Sequence, residues 1–330
     1  MPGGCLTAMK AFITGISGFV GGYLCSLLHE EGFRVSGSKL GHEGLPPNLP
    51  EGTEIVDMDI TDGEAVADRI RRARPDILFH LAAQSSVALS WKKPKLTFDV
   101  NVGGTLNLLD AIRDSAPQCK VLLIGSSEEY GKVRPEDMPL SEGCGIQPAN
   151  PYAVSKLSQE MMGTVYASSY GLRITMVRAF NHTGPRQAPT FVISDFARRI
   201  AMIEKGLIPP VLKTGNLDAV RDFSDVRDIV RGYFMLGSLG SSGEKYNIGS
   251  GRGYPIGQLL DMLLSMSGTA IRIEADPERM RPSDVPVLIC DNSKIKRETG
   301  WQPEIPMERT LRDVLDYWRN CDFSGRQSQH

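Results

Sequence analysis

The stretch Gly15-Ile16-Ser17-Gly18-Phe19-Val20-Gly21 decides the fold of this 330-residue chain. It follows an apolar run at 10–14 that is typical of a buried strand, and an amphipathic helical pattern begins at residue 20. Glycines at this spacing let backbone N–H groups and a helix N-terminus approach a pyrophosphate, because a Cβ would obstruct the approach. The spacing is G-x-x-G-x-x-G rather than G-x-G-x-x-G, so the assignment depends on the strand before it and the helix after it. Together they predict a dinucleotide-binding loop.

Composition and charge narrow the classes of function open to this chain. Its length is enough for about two domains of roughly 150 residues each, and 41% hydrophobic residues can form a sizeable core. Lys and Arg total 37 against 39 Asp and Glu, and this balance argues against a nucleic-acid-binding or membrane-surface protein. Residues 11–28 carry no charge, but glycines and serines interrupt them, so neither a signal peptide nor a membrane span is expected.

The six cysteines are scattered along the chain and form no C-x-x-C pair. No histidine stands at metal-ligand spacing from them. In a chain of this length, the pattern is typical of reduced thiols in a cytoplasmic protein rather than of a disulfide framework or a zinc site. We therefore expect a cytoplasmic protein without a bound metal.

Short apolar runs alternate with helical patterns through the first half of the chain. The predicted strands are 10–14, 34–37, 54–56, 76–80, 120–124 and 173–177. The predicted helices are 20–31, 63–72, 97–113 and 151–169. This alternation predicts β-α-β units in an α/β fold, a Rossmann-type doubly wound parallel sheet.

The chain is predicted to divide into two domains. A dinucleotide-binding domain covers 9–180, and a smaller C-terminal α/β substrate domain covers 181–322. Parts of 222–258 are expected to return to the main sheet, including the strand-like run 245–248. The two expected tails are 1–8 and 323–330.

The residues that end the second predicted strand bear on the choice of dinucleotide. NAD sites place an Asp or Glu there, which accepts a hydrogen bond from the ribose 2′-OH. In the stretch 34–39 (RVSGSK) no acid occurs, and Ser38 and Lys39 occupy the tip. A lysine there attracts a 2′-phosphate, so NADP(H) is favoured; NAD(H) as a second cofactor and a lysine without a ligand stay open. Asp59, after the third strand, is placed either to bond the adenine amine or to cap the next helix.

A candidate catalytic pair lies where the fourth predicted helix begins. The stretch 150–156 (NPYAVSK) has Asn as the expected N-cap and Pro at the first helical position. Tyr152 and Lys156 are four positions apart and share one helix face. An ammonium there is expected to lower the pKa of the phenol toward the operating pH, as a general acid or base requires. Y-x-x-x-K also occurs by chance on exposed helices, but Ser126, at the end of the fifth strand, supplies the expected serine partner.

With these residues the chain resembles the extended short-chain dehydrogenase/reductase family, from about residue 9 to 320. The positions that match are Gly15, Gly18, Gly21, Asp59, His80-Leu81-Ala82-Ala83, Asn101, Ser126, Tyr152 and Lys156. The resemblance implies that Ser126 bonds the substrate carbonyl, that Tyr152 exchanges the proton and that Lys156 also holds the nicotinamide ribose. It implies a homodimer joined through the helix that carries Tyr152. The cofactor contacts expected from it are Gly15, Ser17, Gly18, Phe19, Val20, Gly21, Ser38, Lys39, Asp59, Ile60, Leu81, Ala82, Ala83, Asn101, Tyr152 and Lys156.

Three later motifs resemble the nucleotide-sugar branch of that family, above all GDP-mannose 4,6-dehydratases and GDP-6-deoxy-D-mannose reductases. They are 180–186 (FNHTGPR), 215–223 (GNLDAVRDF) and 281–285 (RPSDV). The resemblance implies that Arg221 and Arg281 clamp a diphosphate, a role that suits the planar guanidinium fork. Each arginine taken alone is equally typical of a surface ion pair. The substrate contacts expected from the resemblance are Ser85, Ser126, Glu128, Asn181, Arg186, Val192, Asn216, Arg221, Arg281 and Asp284.

Within that branch, the residues favour the reductase over the dehydratase. Glu128 stands where dehydratases have the glutamate that removes the C5 proton of the sugar, which keeps the dehydratase open. The arginine-rich loop of dehydratases does not occur at 39–44 (KLGHEG), and 299–303 (TGWQP) is closer to the reductases. The expected reaction is NADPH-dependent reduction of a GDP-linked keto-deoxysugar, GDP-4-dehydro-6-deoxy-D-mannose, to GDP-D-rhamnose or its C4 epimer. A UDP-sugar epimerase and a dinucleotide-sensing regulator without catalysis are the remaining alternatives.

Overall fold

Parallel strands form the centre of the molecule, in a computed structural model that describes residues 8–46, 49–279 and 285–323. The strands, in chain order, are β1 (Lys10–Thr14), β2 (Arg34–Lys39), β3 (Glu54–Asp57), β4 (Ile77–His80), β5 (Lys120–Ile124), β6 (Arg173–Ala179), β7 (Asn181–Thr183), β8 (Val211–Thr214), β9 (Val220–Asp225), β10 (Lys245–Ile248), β11 (Gly253–Pro255), β12 (Arg272–Ala275) and β13 (Val287–Leu288).

Seven of these strands make one sheet, in the order β10-β6-β5-β4-β1-β2-β3. Every neighbouring pair in it is parallel. The six strands predicted in the first half are confirmed, with ends that shift by one or two residues. β10 pairs with β6, with Tyr246 opposite Val177, so the run 245–248 does return to the main sheet. The predicted doubly wound α/β fold is confirmed.

The helices, in chain order, are α1 (Phe19–Glu30), α2 (Gly63–Ala73), α3 (Val87–Lys92), α4 (Pro94–Phe98), α5 (Gly104–Ser115), α6 (Pro151–Tyr170), α7 (Val192–Glu204), α8 (Val226–Leu239), α9 (Ile256–Ser265), α10 (Ser293–Thr299) and α11 (Met307–Arg319). The single helix predicted at 97–113 is in fact interrupted by a π-helical turn at Asp99–Gly103. No helix within the described ranges combines the length and apolar character that crossing a bilayer requires.

Apolar side chains cover both faces of the sheet. On one face, residues of β1, β4 and β10 pack with α1 and α8 in one buried cluster. On the other face, β5 and β6 pack with α2 and α5. Strands buried on both faces read as near-continuous apolar runs, such as the fully buried Ile77–His80, and this explains why sequence alone located them.

The second half of the chain forms smaller sheets beside this core. β9 pairs with β7, β11 and β13, and β12 pairs with β8. Helices α7, α9 and α11 contribute buried residues to a third apolar cluster. The division of the chain at residue 180 stays a prediction.

Candidate active site

The predicted dinucleotide loop has the strand, tight turn and helix that such a loop needs. Gly15 adopts φ +71°, in the left-handed region, and its carbonyl accepts the Gly18 N–H at 3.0 Å. A Cβ at Gly21 would lie 2.6 Å from the Gly15 oxygen, so the first turn of α1 packs directly on the loop. Gly18 is the N-cap of α1, and no side chain bonds to this end of the helix. The backbone amides there are arranged for an anion such as a diphosphate.

The end of β4 lies against this loop. The Leu81 N–H donates to the Thr14 carbonyl and the Ala82 N–H to the Thr14 hydroxyl, both at 3.2 Å. A Cβ at Gly15 would lie 3.0 Å from the Ala82 backbone. The structure therefore brings the segment Leu81-Ala82-Ala83 beside the loop, as a shared cofactor site requires.

The buried His80 side chain hydrogen-bonds to Thr14 at the end of β1 and to Thr105 in α5. Burial lowers its pKa to about 3, so the ring is neutral. The Thr105 hydroxyl donates to the Asn101 carbonyl at 2.6 Å, so its oxygen accepts the His80 Nε2–H at 3.0 Å. Nδ1 then accepts from the Thr14 hydroxyl at 2.8 Å, and that hydroxyl accepts the Ala82 N–H. This chain of hydrogen bonds ties β1, β4 and the start of α5 together.

The tip of β2 carries more charge than the sequence indicated. Ser38 is buried, and the Lys39 ammonium lies 2.7 Å from the Asp57 carboxylate, which sits opposite it on β3. The Lys39 ammonium also donates to two carbonyls of the following loop. Glu43, from that same loop, accepts the Ser17 hydroxyl at 2.5 Å. Sequence reasoning missed Asp57 and Glu43, because strand register and loop folding bring them here.

Asp59 shapes the turn that precedes α2 but is not its N-cap. Its carboxylate accepts the Thr61 N–H at 2.9 Å and the Thr61 hydroxyl at 2.7 Å. Asp62 caps the helix instead, so the capping alternative for Asp59 is wrong. Ile60 is buried and fills the space beside Gly104, where a Cβ would lie 2.6 Å from it. The adenine role of Asp59 and the cofactor contact of Ile60 stay predictions.

Ser126 and Tyr152 meet at the carboxyl end of the central strands. Ser126 follows β5, its hydroxyl accepts the Glu128 N–H at 3.2 Å, and it lies near enough to the Tyr152 phenol to affect the pKa of that phenol. Tyr152 is only 8% exposed. Burial raises the pKa of its phenol, the Glu129 and Glu128 carboxylates add to the rise, and the nearby Ser126 hydroxyl opposes it. The expected lowering of this pKa is therefore wrong, because burial and the two carboxylates raise it and Lys156 is not among the groups that shift it.

Lys156 lies buried one helical turn along α6 from Tyr152. Its ammonium donates to the Ile124 carbonyl at 2.7 Å and to the Gln159 side-chain oxygen at 3.1 Å. Burial lowers the pKa of Lys156 to about 8, against the opposing charge of Glu129. The amine can therefore change its charge within the range of pH in which enzymes work.

Asn101 occupies the π-helical turn and points into the core. Its side-chain oxygen accepts the Gln84 N–H at 2.8 Å, and its amide donates to the Gln84 carbonyl at 3.1 Å and to the Ser155 hydroxyl at 2.9 Å. The Ser155 hydroxyl in turn donates to the Tyr152 carbonyl. Asn101 thus links the segment after β4 to the helix that carries Tyr152, and π turns of this kind are frequent at functional sites.

Glu128 is oriented by the start of α6. Asn150 is the N-cap, as predicted: its side-chain oxygen accepts the Ala153 N–H at 2.8 Å. Its amide donates to the Glu128 carboxylate at 2.9 Å. The half-buried Glu128 carboxylate is near enough to Tyr152 to raise the pKa of the phenol. A carboxylate is therefore available beside the tyrosine.

A buried ion cluster lies next to this group, and sequence reasoning missed it. Arg178 on β6 makes a bidentate pair with Glu160 at 2.7 and 2.8 Å and stacks on the Tyr130 ring at 4.8 Å. Glu129 accepts the Ser126 N–H at 2.7 Å and lies 3.5 Å from Arg178. Burial and the Glu160 carboxylate raise the pKa of Glu129, whereas Arg178 and the Ser126 N–H oppose the rise. The cluster holds the backbone of Ser126 in place.

The predicted substrate contacts are spread over several elements. Asn181 begins β7 opposite Phe223 of β9, the strand that also carries Arg221, so these two contacts lie on neighbouring strands. Arg186 adopts φ +73°, and its guanidinium stacks 4.6 Å from the ring of Tyr23 on α1. The remaining described contacts are placed as follows: Ser85 between β4 and α3, Val192 at the start of α7, and Asn216 in the loop after β8. Arg281 and Asp284 lie outside the described residues.

Comparison with known proteins assigns the chain to a family. A family model described as GDP-mannose 4,6 dehydratase matches residues 12–314. The chain belongs to this family. Among the curated family relatives, GDP-6-deoxy-D-mannose reductase of Pseudomonas aeruginosa is 34% identical over 94% of this chain and 97% of that protein. GDP-mannose 4,6-dehydratase of Vibrio cholerae is 31% identical over 93% of this chain and 92% of its own length.

Solved structures show the same family fold. The structure of RMD from Pseudomonas aeruginosa complexed with NADPH has a TM-score of 0.83 and 32% identity, and covers 94% of this chain and 99% of that one. A UDP-glucose 4-epimerase of Thermus thermophilus in complex with NAD has a TM-score of 0.86 and 31% identity, and covers 95% and 100%. No cluster of three or more His, Cys, Asp or Glu side chains suited to a metal occurs among the described residues.

Proposed function

We propose that this protein is an NADPH-dependent reductase that converts the C4 ketone of GDP-4-dehydro-6-deoxy-D-mannose to the alcohol of GDP-D-rhamnose, with NADH as a second cofactor. The observation that carries the proposal is the grouping of Ser126, which follows β5, with Tyr152 and with Lys156 one helical turn further along α6. The identity to the Pseudomonas reductase over nearly the whole chain supports the same substrate.

The residues of the glycine loop fit a dinucleotide, because Gly18 leaves the N-terminus of α1 without a side-chain cap and Gly21 lets the helix pack closely on the loop. Ser17, Phe19 and the segment after β4 would complete that site. The dinucleotide supplies the hydride when it is bound. The protein itself binds the sugar, holds its carbonyl and delivers the proton.

Tyr152 is the proton donor in the proposed reduction. Its pKa is raised by burial, so the phenol holds its proton at neutral pH and serves as an acid. That proton passes to the carbonyl oxygen of the sugar, while the Ser126 hydroxyl polarises the same oxygen. Lys156, with a pKa of about 8, is cationic at neutral pH and stabilises the phenolate left behind.

We propose that the nucleotide-sugar domain covers 181–322 and that Arg221 and Asn181 bind the GDP-sugar from neighbouring strands. We also propose Arg281 and Asp284 as contacts of the GDP-sugar. Arg186 packs on Tyr23 of the first helix after the glycine loop. This contact supports a position of Arg186 between the dinucleotide and the GDP-sugar.

Glu128 supports a second candidate, the GDP-mannose 4,6-dehydratase. That reaction requires a carboxylate to remove the C5 proton of the sugar, and the Glu128 carboxylate lies beside Tyr152, oriented by the amide of Asn150. Several dehydratases are 30% to 31% identical to this chain over about nine-tenths of its length.

Purified protein incubated with NADPH and the keto sugar tests the proposal. We expect NADPH consumption and a C4 alcohol, whose configuration is assigned by NMR. Tyr152→Phe is expected to slow consumption by about 10²–10⁴-fold, whereas Tyr170→Phe, the same change at the exposed end of α6, is expected to leave it intact. If the protein converts GDP-mannose to the keto sugar without consuming NADPH, and Glu128→Gln stops this, the dehydratase is correct instead.

We also propose a homodimer in the cytoplasm. The outer face of α6 exposes Val154, Met161 and Val165, and the nearby helices α3 and α4 expose Trp91 and Phe98. An apolar face of this kind is typical of an interface. Five free cysteines among the described residues support the reducing compartment. Sedimentation analysis tests the dimer, and Met161→Glu is expected to yield monomers.

A further inference from the structure

An acidic side chain lies where the glycine loop meets the end of β2. The Ile16 N–H donates to the Ser38 carbonyl at 3.0 Å, so the loop and the strand touch here. One Glu43 carboxylate oxygen accepts the Ser17 hydroxyl at 2.5 Å and the Leu40 N–H at 3.2 Å. Since Leu40 is the first residue after β2, Glu43 bridges the glycine loop and the strand end.

The place where the glycine loop meets the end of β2, called the corner below, is the part of a dinucleotide site that faces the adenosine ribose. In the doubly wound fold, the pyrophosphate lies on the glycine loop and the 2′ position of the ribose lies at the end of the second strand. The sequence of β2 has no acid at its tip, but Glu43 reaches the same corner from the loop four residues further on. An ionised carboxylate can accept more hydrogen bonds than the two that Glu43 makes here.

Lys39, the cation that the sequence places at this corner, is already paired with a carboxylate. The Lys39 ammonium lies 2.7 Å from Asp57 and donates to the carbonyls of Leu40 and Gly41 at 3.2 Å, which uses its three donors. Its side chain is 14% exposed, whereas that of Asp57 is 67% exposed. With Lys39 already paired to Asp57, the Glu43 carboxylate brings a negative charge that repels a 2′-phosphate, and its oxygens can accept a hydrogen bond from a 2′-OH.

We propose that Glu43 selects between the cofactors: its carboxylate accepts the adenosine ribose 2′-OH and weakens NADPH, so that NADH competes. This inference rests on the proposed function, because it requires the glycine loop to hold a nicotinamide dinucleotide. Asp57 acts in the same direction, because its charge holds Lys39 away from a 2′-phosphate.

Titration of the protein with NADPH and NADH, without any sugar, tests the proposal by the ratio of the two dissociation constants. Glu43→Gln is expected to shift this ratio toward NADPH by about tenfold, because it removes a charge and a charged acceptor. Asp57→Asn is expected to shift it in the same direction. Glu31→Gln, a matched change at the exposed end of α1, is expected to leave the ratio unchanged.

The outcomes separate the two proposals. If wild-type protein binds neither dinucleotide, the proposed function is refuted. If it binds both and Glu43→Gln leaves the ratio at the wild-type value, the role of Glu43 is refuted while the proposed function stands. A shift in Glu43→Gln that the Glu31→Gln control does not show supports the inference.

Discussion

Replacing Lys156 with methionine is expected to stabilise the folded protein near neutral pH, although Lys156 belongs to the proposed catalytic group. The side chain is buried, and burial lowers its pKa from 10.5 to about 8. A group whose folded pKa is lowered in this way resists protonation in the folded state. Burial of the ammonium therefore costs free energy of folding that a methionine would not cost.

The size of this cost depends on pH in a defined direction. It is fully present below pH 8, the folded pKa, and disappears as the pH rises through 10.5, the unfolded pKa. It amounts to about 3 kcal/mol at pH 7 and about 1 kcal/mol at pH 10. Methionine also leaves the Gln159 side-chain oxygen without its donor, which lowers the stability of the variant by about 1–2 kcal/mol at every pH. The Ile124 carbonyl keeps its hydrogen bond from the Gln159 amide, so it adds no such cost.

Urea unfolding of wild type and Lys156→Met at several pH values from 7 to 10 measures the difference. We expect the variant to be the more stable by about 1–2 kcal/mol at pH 7 and to lose about 2 kcal/mol of that relative stability by pH 10. Lys92→Met, at an exposed lysine, serves as the control for removing a charge. A difference between Lys156→Met and wild type that stays constant from pH 7 to 10 would refute the reasoning.

Three further substitutions test other parts of the site. Tyr152→Phe is expected to lower kcat for ketone reduction by about 10²–10⁴-fold with little change in cofactor affinity, since only the proton donor is lost. Gly21→Ala is expected to weaken NADPH binding at least about tenfold in a fluorescence titration, because its Cβ would lie 2.6 Å from the Gly15 oxygen; an unchanged affinity would contradict this. Arg178→Met is expected to lower the free energy of unfolding by about 3–5 kcal/mol, because Glu160 loses its bidentate partner, and an unchanged urea midpoint would argue against it.

The elements predicted well are those whose signal is local. The glycine loop, the buried strands and the Asn-Pro start of α6 each follow from a few neighbouring residues, and all three are confirmed. The helix expected at 97–113 was predicted less well. Its helical periodicity is nearly the same with or without a π turn, and the bonds that Asn101 makes from this turn to Gln84 and Ser155 join residues far apart along the chain.

The sequence by itself determined the doubly wound fold and the candidate group of Ser126, Tyr152 and Lys156, because periodicity, glycine spacing and a helical i, i+4 pair are short-range properties. Only the tertiary structure decided how these groups ionise. Burial raises the pKa of Tyr152 and lowers that of Lys156, and burial depends on what the rest of the chain packs around them. In the same way, strand register gives Lys39 its partner Asp57, since such pairs form between residues far apart along the chain.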